Sequence, residues 1–327
     1  MAEKRFIDAI HDALQEEMAR DPAVVLMGED VGPKGGVFGV SDGLAAAFGE
    51  DRVIDTPLAE SGIIGVALGM SVNGLRPVAE IQFADFIHPA FDQILSEVAR
   101  LRYRSQNDFS CPMVIRAPYG GGVHGALYHS QSIEAFYAHI PGLKVVVPYT
   151  PADARGLLKS AIRGPDPVLY LEHKKMYRLV RGEVPEGDVT VPIGPAEIRR
   201  AGRDLSIFAY GLMEHESLRA ADLLSREGIE AEVVDVRTLR PLDTATVLES
   251  VSRTSRALVV HEDNRFGGFG AEIAATIAEE GFRFLDAPPT RLGGPEVPAV
   301  PFSPPLEDWF MISADAIAAA ARALVAY

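Results

Sequence analysis

A single cysteine, Cys111, among 327 residues forbids an internal disulfide, as in chains kept in a reducing compartment. No run of eighteen apolar residues and no signal-like leader occur, so no helix is expected to span a bilayer and the expected location is cytoplasmic. Positive charge is also scarce: 31 Lys and Arg face 46 Asp and Glu, for a net charge of −15. That balance excludes nucleic acid as a partner, because neutralising phosphates needs concentrated Lys and Arg. A basic protein partner suits it better. Cys111 precedes Pro112 and an apolar run, the setting of a strand-edge packing residue rather than a nucleophile.

What is present is an alternation of β-rich and helical segments in a chain long enough for two α/β domains. Helical periodicity covers Phe6 to Met18, Ala84 to Arg100 and Ala152 to Arg163. Strands are expected at Ala23 to Met27, Pro77 to Phe83, Pro112 to Arg116, Lys144 to Val147 and Pro167 to Glu172. The polar, proline-containing stretch 178–195 reads as a linker. Beyond it, strands at Leu205 to Tyr210, Ala231 to Val236 and Ala257 to His261 alternate with helices at Glu214 to Glu227 and Thr244 to Ser252. This spacing implies parallel sheets with right-handed crossovers. The expected domains are 1–177 and 196–327.

The chain is organised around Asp55 to Met70. Thr56-Pro57 reads as a helix start, with a capping hydroxyl and a proline at the first position. From Ser61 to Leu75 no residue is charged, so this helix is expected to be buried all round. Gly62, Gly65 and Gly69 fall on roughly one side, allowing another backbone or a flat ligand to approach. Glu60 opens this segment, and a buried carboxylate needs a partner. Either it belongs to a capping box, which would place the true cap one residue later than Thr56, or it hydrogen-bonds a ring nitrogen of a bound cofactor.

Other motifs are weaker. The loop Gly28 to Gly36 lies at a strand's carboxyl end, where open parallel sheets bind ligands. Gly39-Val40-Ser41-Asp42-Gly43 fits the G-x-S-x-G elbow, which makes a serine hydrolase using Ser41 the rival class. The elbow needs a buried strand before it, and the preceding residues are glycine-rich, so Ser41 also reads as a helix N-cap. Tyr119 to Gly125 shares only its glycines with a phosphate loop and reads as a flexible active-site loop. Gly268-Phe269-Gly270 lacks the third glycine of a dinucleotide fingerprint.

Taken in order, Gly28-Glu29-Asp30-Val31-Gly32, Asp55-Thr56-Pro57-Leu58-Ala59-Glu60, Ala79 to Phe86, His124-Gly125-Ala126-Leu127-Tyr128-His129-Ser130-Gln131-Ser132, Pro141 to Val146, Asp235 to Pro241 and Gly267 to Ile273 resemble the β subunit of the thiamine-diphosphate-dependent 2-oxo acid dehydrogenases. The match covers essentially the whole chain. It implies a transketolase-like pyrimidine-binding domain followed by a transketolase C-terminal α/β domain. It also implies an aminopyrimidine of thiamine diphosphate held against Glu60, lined by Leu58 and Gln82 and covered by Phe86. His129, in the His-Ser-Gln motif, is implied as a second catalytic group, whereas His124 and His139 read as structural.

Branched-chain members often carry tyrosine where Phe86 stands. Some members hold K+ on backbone carbonyls corresponding to Cys111, Met113, Val114, Ala161, Gly164 and Asp166, and Gly164 replaces a frequent acidic residue there. The Gly-Asp-Gly motif that presents Mg2+ to the diphosphate is absent. The resemblance therefore implies a separate E1 α subunit holding Mg2+ in an α2β2 heterotetramer, with an acyltransferase (E2) subunit-binding domain and lipoyl domain as further partners. The implied reaction is oxidative decarboxylation of a 2-oxo acid with reductive acylation of lipoyl. The motif wording is nearest to branched-chain members, with pyruvate and acetoin types as alternatives.

Overall fold

A computed structural model describes residues 1–327, which form two compact units. The first comprises Met1–Tyr119 and Phe136–Ile193, and the second Gly120–Ala135 and Gly194–Tyr327. The fold is α/β in both, as expected.

In chain order the first segment runs β1 (Ala2–Arg5), α1 (Phe6–Arg20), β2 (Val24–Gly28), α2 (Leu44–Phe48), β3 (Val53–Asp55), α3 (Glu60–Val72), β4 (Arg76–Glu80), α4 (Leu101–Arg104) and β5 (Val114–Tyr119). The chain returns to this unit through α5 (Glu134–Ala138) and continues with β6 (Lys144–Val146), α6 (Pro151–Arg163), β7 (Val168–His173), α7 (Met176–Leu179) and β8 (Arg181–Val184). Strands β6-β7-β5-β4-β2-β3 lie side by side in parallel. Their residues are buried on both faces in β2, β5 and β7, which explains why these segments read as continuous apolar runs rather than alternating ones.

The second unit contains β9 (Glu197–Arg200), β10 (Leu205–Ala209), α8 (Leu212–Ser225), β11 (Ala231–Asp235), β12 (Thr238–Arg240), α9 (Thr244–Thr254), β13 (Ala257–Asn264), α10 (Gly270–Glu280), β14 (Thr290–Gly294), α11 (Pro304–Phe310) and α12 (Ala314–Val325). Its main sheet has the order β14-β13-β10-β11-β9, parallel except for the edge strand β9.

Four expectations are corrected. The stretch 178–195 is not simply a linker, because β8 pairs antiparallel with β1 and residues up to Ile193 cluster with the first unit. Ala84 to Arg100 is not one helix. It forms 3-10 turns at Ala84–Phe86 and His88–Ala90, then a π-helical segment at Gln93–Val98. Pro89 supplies no amide and clashes with a preceding carbonyl, which breaks the α pattern.

The helix expected from Thr56 begins at Glu60, and its N-cap Ala59 makes no side-chain cap. The buried Thr56 hydroxyl has no hydrogen-bond partner. Nor is α3 buried all round. Ile63, Ile64, Ala67 and Ser71 face inward, while Ser61, Gly62, Val66, Gly69 and Val72 are exposed. An uncharged segment shows only that a helix avoids water, not which molecule shields it.

The centre of the first sheet is tied by a buried ion cluster. Arg116 of β5 donates through Nε and Nη2 to both Glu172 oxygens of β7 at 2.6 and 2.7 Å, and through Nη1 to Glu80 of β4 at 2.6 Å. Tyr177 of α7 donates to Glu172 at 2.6 Å. Burial opposes charge on Arg116, but the carboxylates of Glu172 and Glu80 outweigh it and raise its pKa. Burial pushes the Glu80 carboxyl up, against the pull of Arg116. Removing one member of such a cluster strands the others. Arg116→Met is therefore expected to lower the unfolding free energy by about 3–5 kcal/mol in urea denaturation; a loss of less than about 1 kcal/mol, the scale of an exposed ion pair, would show that the cluster does not tie the sheet.

Candidate active site

At the carboxyl ends of β2 and β4 the first unit opens a cavity of about 140 Å3 lined by Glu29, Leu58, Ala59, Glu60, Ile63, Glu80, Ile81, Gln82 and Phe86. Strand ends are where open parallel sheets place ligands. Whole small-molecule sites run to about 300–1,000 Å3, so this cavity holds a ring rather than a complete cofactor. The structure thus brings together Glu60, Leu58, Gln82 and Phe86, residues separated by up to one strand and one helix in the sequence.

Glu60 is half-buried at the first position of α3. Its carboxylate has no hydrogen-bond or ion-pair partner within the chain, which removes the capping-box reading. Leu58 is 70% exposed, an unshielded leucine at the cavity mouth. Gln82 is fixed by its amide nitrogen, which donates to Asp30 at 3.2 Å. The Phe86 ring stands edge-on to Phe83, which meets Phe38, which in turn meets Tyr177. Through Tyr177 this aromatic series reaches the Arg116 cluster.

Two lining residues were not singled out from the sequence, Glu29 and Glu80. Burial, then the neighbouring charges of Asp30 and Glu60, push the Glu29 carboxyl up. The signal for Glu80 was available: a lone acid in the apolar run Pro77 to Phe83, facing a lone arginine in the apolar run Pro112 to Ala117, is a paired buried charge. Three carboxylates around a small, largely apolar cavity favour a ligand that offers N–H donors or a proton.

The remaining candidates fall elsewhere. Ser41 is fully buried, its hydroxyl donates to the Val31 carbonyl at 2.8 Å, and turns rather than a strand precede it. It is neither an elbow nucleophile nor a helix cap, since α2 starts after Gly43. Cys111 is buried, and burial pushes its thiol up to about 12, as expected for packing.

Around Cys111, the Cys111 carbonyl accepts from the Met113 amide, Met113 from Val168, and Ala161 from Gly164. Val114 opens β5. The Gly164 carbonyl accepts from Arg76 Nη1 at 3.0 Å, and the same nitrogen donates to Ile162 at 2.9 Å. Asp166 already pairs with Arg102 and Lys144. No group of three or more His, Cys, Asp or Glu side chains is arranged to hold a metal ion, and no helix is long and apolar enough to cross a membrane.

His129 belongs to the second unit, half-buried after the 3-10 turn Ala126–Tyr128. The same unit gathers acids the sequence did not mark. Glu134 is fully buried and accepts from Tyr210 at 2.8 Å. Burial, with the nearby Asp263 charge, pushes it up to about 8. Burial, with Glu262 adding to it, pushes Asp263 up to about 6.

A raised carboxyl pKa means that the folded state keeps a proton the unfolded chain has released. The stabilising contribution is complete below the ordinary carboxyl range and is lost as pH rises through 6 and then 8. Glu134→Gln is expected to leave the thermal midpoint nearly unchanged at pH 5 and to raise it relative to the unsubstituted protein at pH 9. A constant offset across that range in calorimetric scans would contradict the titration.

Family models place these observations. The transketolase pyrimidine-binding domain matches residues 3–180 and the transketolase C-terminal domain matches residues 194–317. The chain is 54% identical over 327 residues, the full length of both chains, to 2-oxoisovalerate dehydrogenase subunit beta of Bacillus subtilis. It is 49% identical over 324 residues, 99% of each chain, to the pyruvate dehydrogenase E1 component subunit beta of the same organism. Among solved structures it resembles an inactive beta4 tetramer of a split-gene transketolase, with a TM-score of 0.78 and 26% identity over 98% of each chain. The chain belongs to the β subunits of the thiamine-diphosphate-dependent 2-oxo acid dehydrogenases, enzymes built on the transketolase fold.

Proposed function

We propose that this chain is the β half of an enzyme that oxidatively decarboxylates a branched-chain 2-oxo acid and passes the acyl group to lipoyl on an acyltransferase (E2). The observation that carries the reading is Glu60: a carboxylate on a ring-sized cavity, with no partner in its own chain, beside an exposed leucine and an outward apolar face of α3. A ligand and a second protein are both called for at that place. An E1 α subunit in an α2β2 heterotetramer is the natural cover, and Mg2+ with the diphosphate belongs to it. The acidic balance of −15 suits a basic subunit-binding domain of E2. The expected setting is the cytoplasm.

Thiamine diphosphate supplies, when bound, a carbon acid able to attack a 2-oxo group. The residues present fit its aminopyrimidine. Glu60 offers a hydrogen bond to a ring nitrogen and holds or moves a proton there. Leu58 and Phe86 give apolar walls, and Gln82 is held by Asp30 to present its remaining amide atoms. Glu80, fixed by Arg116, lines the same cavity. His129 is the group assigned to exchange a proton with substrate or lipoyl. The carbonyl set assigned to K+ does not fit an ion as it stands, because the Arg76 guanidinium, itself a cation, already donates to the Gly164 carbonyl. No step is assigned to such an ion.

Glu60→Gln should fold with an unchanged thermal midpoint and lose about 100-fold to 10,000-fold in decarboxylation when assembled with the α subunit; near-normal turnover would remove Glu60 from the mechanism. His129→Ala should still bind cofactor and reduce dichlorophenolindophenol, while reduction of a lipoyl domain slows; equal slowing in both assays would argue against a role at the lipoyl step. On substrate, kcat/KM for 2-oxoisovalerate should exceed that for pyruvate by about tenfold or more, the scale on which extra methyl groups are distinguished. The 49% identity to a pyruvate enzyme subunit keeps pyruvate as the second reading, and a reversed ratio would select it.

A further inference from the structure

The glycine-rich loop expected to be flexible is instead held by two carboxylates of its own unit. Glu307 of α11 is 1% exposed at its side chain. One of its oxygens accepts from the amides of Gly122, Val123 and His124 at 2.9, 3.2 and 3.1 Å. The other accepts from the His124 amide at 3.1 Å and meets His124 Nδ1 at 2.5 Å. Glu262 accepts from the Gly121 amide at 2.7 Å and from the Ser132 hydroxyl at 3.2 Å, near the two ends of the same segment.

Successive amides turned toward one point make an anion-binding nest, and here the anion is a side chain. The segment needs such a clamp. His124 and Ala126 both adopt left-handed backbone, with φ of 57° and 56°, a conformation that non-glycine residues keep only when their surroundings impose it. Between them, Gly125 lies so close to His129 that an added Cβ would come within 2.7 Å of the His129 carbonyl and 2.8 Å of its own Cβ. A shift at residues 122–124 is therefore handed on to His129 through backbone contact.

We propose that Glu307 is the positioning residue for the segment Gly121–Ser132, and through it for the His129 imidazole. Its importance for turnover rests on the reading of His129 given above; the clamp itself does not. The charge matters as well as the shape. Glu307→Gln keeps one acceptor oxygen but turns an amide group toward the His124 donors, whereas Glu307→Gly leaves a space that free formate can enter.

The test uses the full chain, alone and assembled with its α subunit. In Glu307→Gly, amide exchange at residues 122–124 should rise about tenfold or more, as expected for loss of hydrogen bonds to a charged group. The His129 ring signals of the histidine-labelled protein should shift, and formate should reverse both changes. In the assembled enzyme, kcat for lipoyl reduction should fall with little change in KM for the oxo acid, recover with formate, and fall less in Glu307→Gln. Unchanged exchange and an unmoved His129 signal would overturn the proposal. So would lipoyl turnover that stays normal while the loop is loosened. If the unsubstituted assembly itself fails to turn over a 2-oxo acid, the functional reading fails instead, and the exchange and His129 signals still decide the clamp.

Discussion

The first unit depends on one guanidinium held between two carboxylates inside a parallel sheet. Arg116 reaches sideways across the central strands to Glu80 and Glu172, so three neighbouring strands share one charge cluster in addition to their backbone pairing. The cluster is costly to bury and is compensated only by its geometry, which makes it demanding of its surroundings. Its consequence lies at the edge of the cavity. Glu80 is immobilised there with its pKa raised by burial, and Tyr177 connects the cluster to the aromatic series that ends at Phe86.

The cavity is as informative for what it omits as for what it contains. Most carboxylates in this structure are paired, whereas Glu60 meets no donor in its own chain, and α3 turns glycines and valines outward. An isolated protein gains nothing from either arrangement. Both become reasonable in the function proposed above, where a bound heterocycle and a second polypeptide complete the site. The second unit shows the opposite economy. Glu262 and Glu307 are both engaged, and most of their donors are backbone amides of a loop whose shape no local preference would choose.

Much of this was legible in the sequence. Residues such as Val24 to Gly28, Val114 to Tyr119 and Leu205 to Ala209 form strands because β-branched and apolar side chains satisfy a sheet buried on both faces. The helix expected from Ala152 is α6, which starts one residue earlier at Pro151 behind a Thr150 cap. Capping rules failed at Thr56-Pro57, where α3 begins only at Glu60, and periodicity failed between Ala84 and Arg100, where Pro89 divides the segment into turns and a π-helix. Glu60, Leu58, Gln82 and Phe86 could be named because their motifs stand in order along the chain. Glu29, Glu80, Glu262 and Glu307 could not, because an acid looks alike whether it faces solvent, an arginine or a nest of amides.

By itself, then, the sequence determined the alternation of strands and helices, the absence of disulfides and of membrane-spanning helices, and the family to which the chain belongs, since these follow from periodicity, composition and ordered motifs. Only the tertiary structure decided which acids are paired, which are clamped to backbone and which are left open at the cavity. Burial and hydrogen-bond geometry are properties of residues far apart in the chain, such as Gly122 and Glu307. They arise only when folding brings those residues within reach of one another.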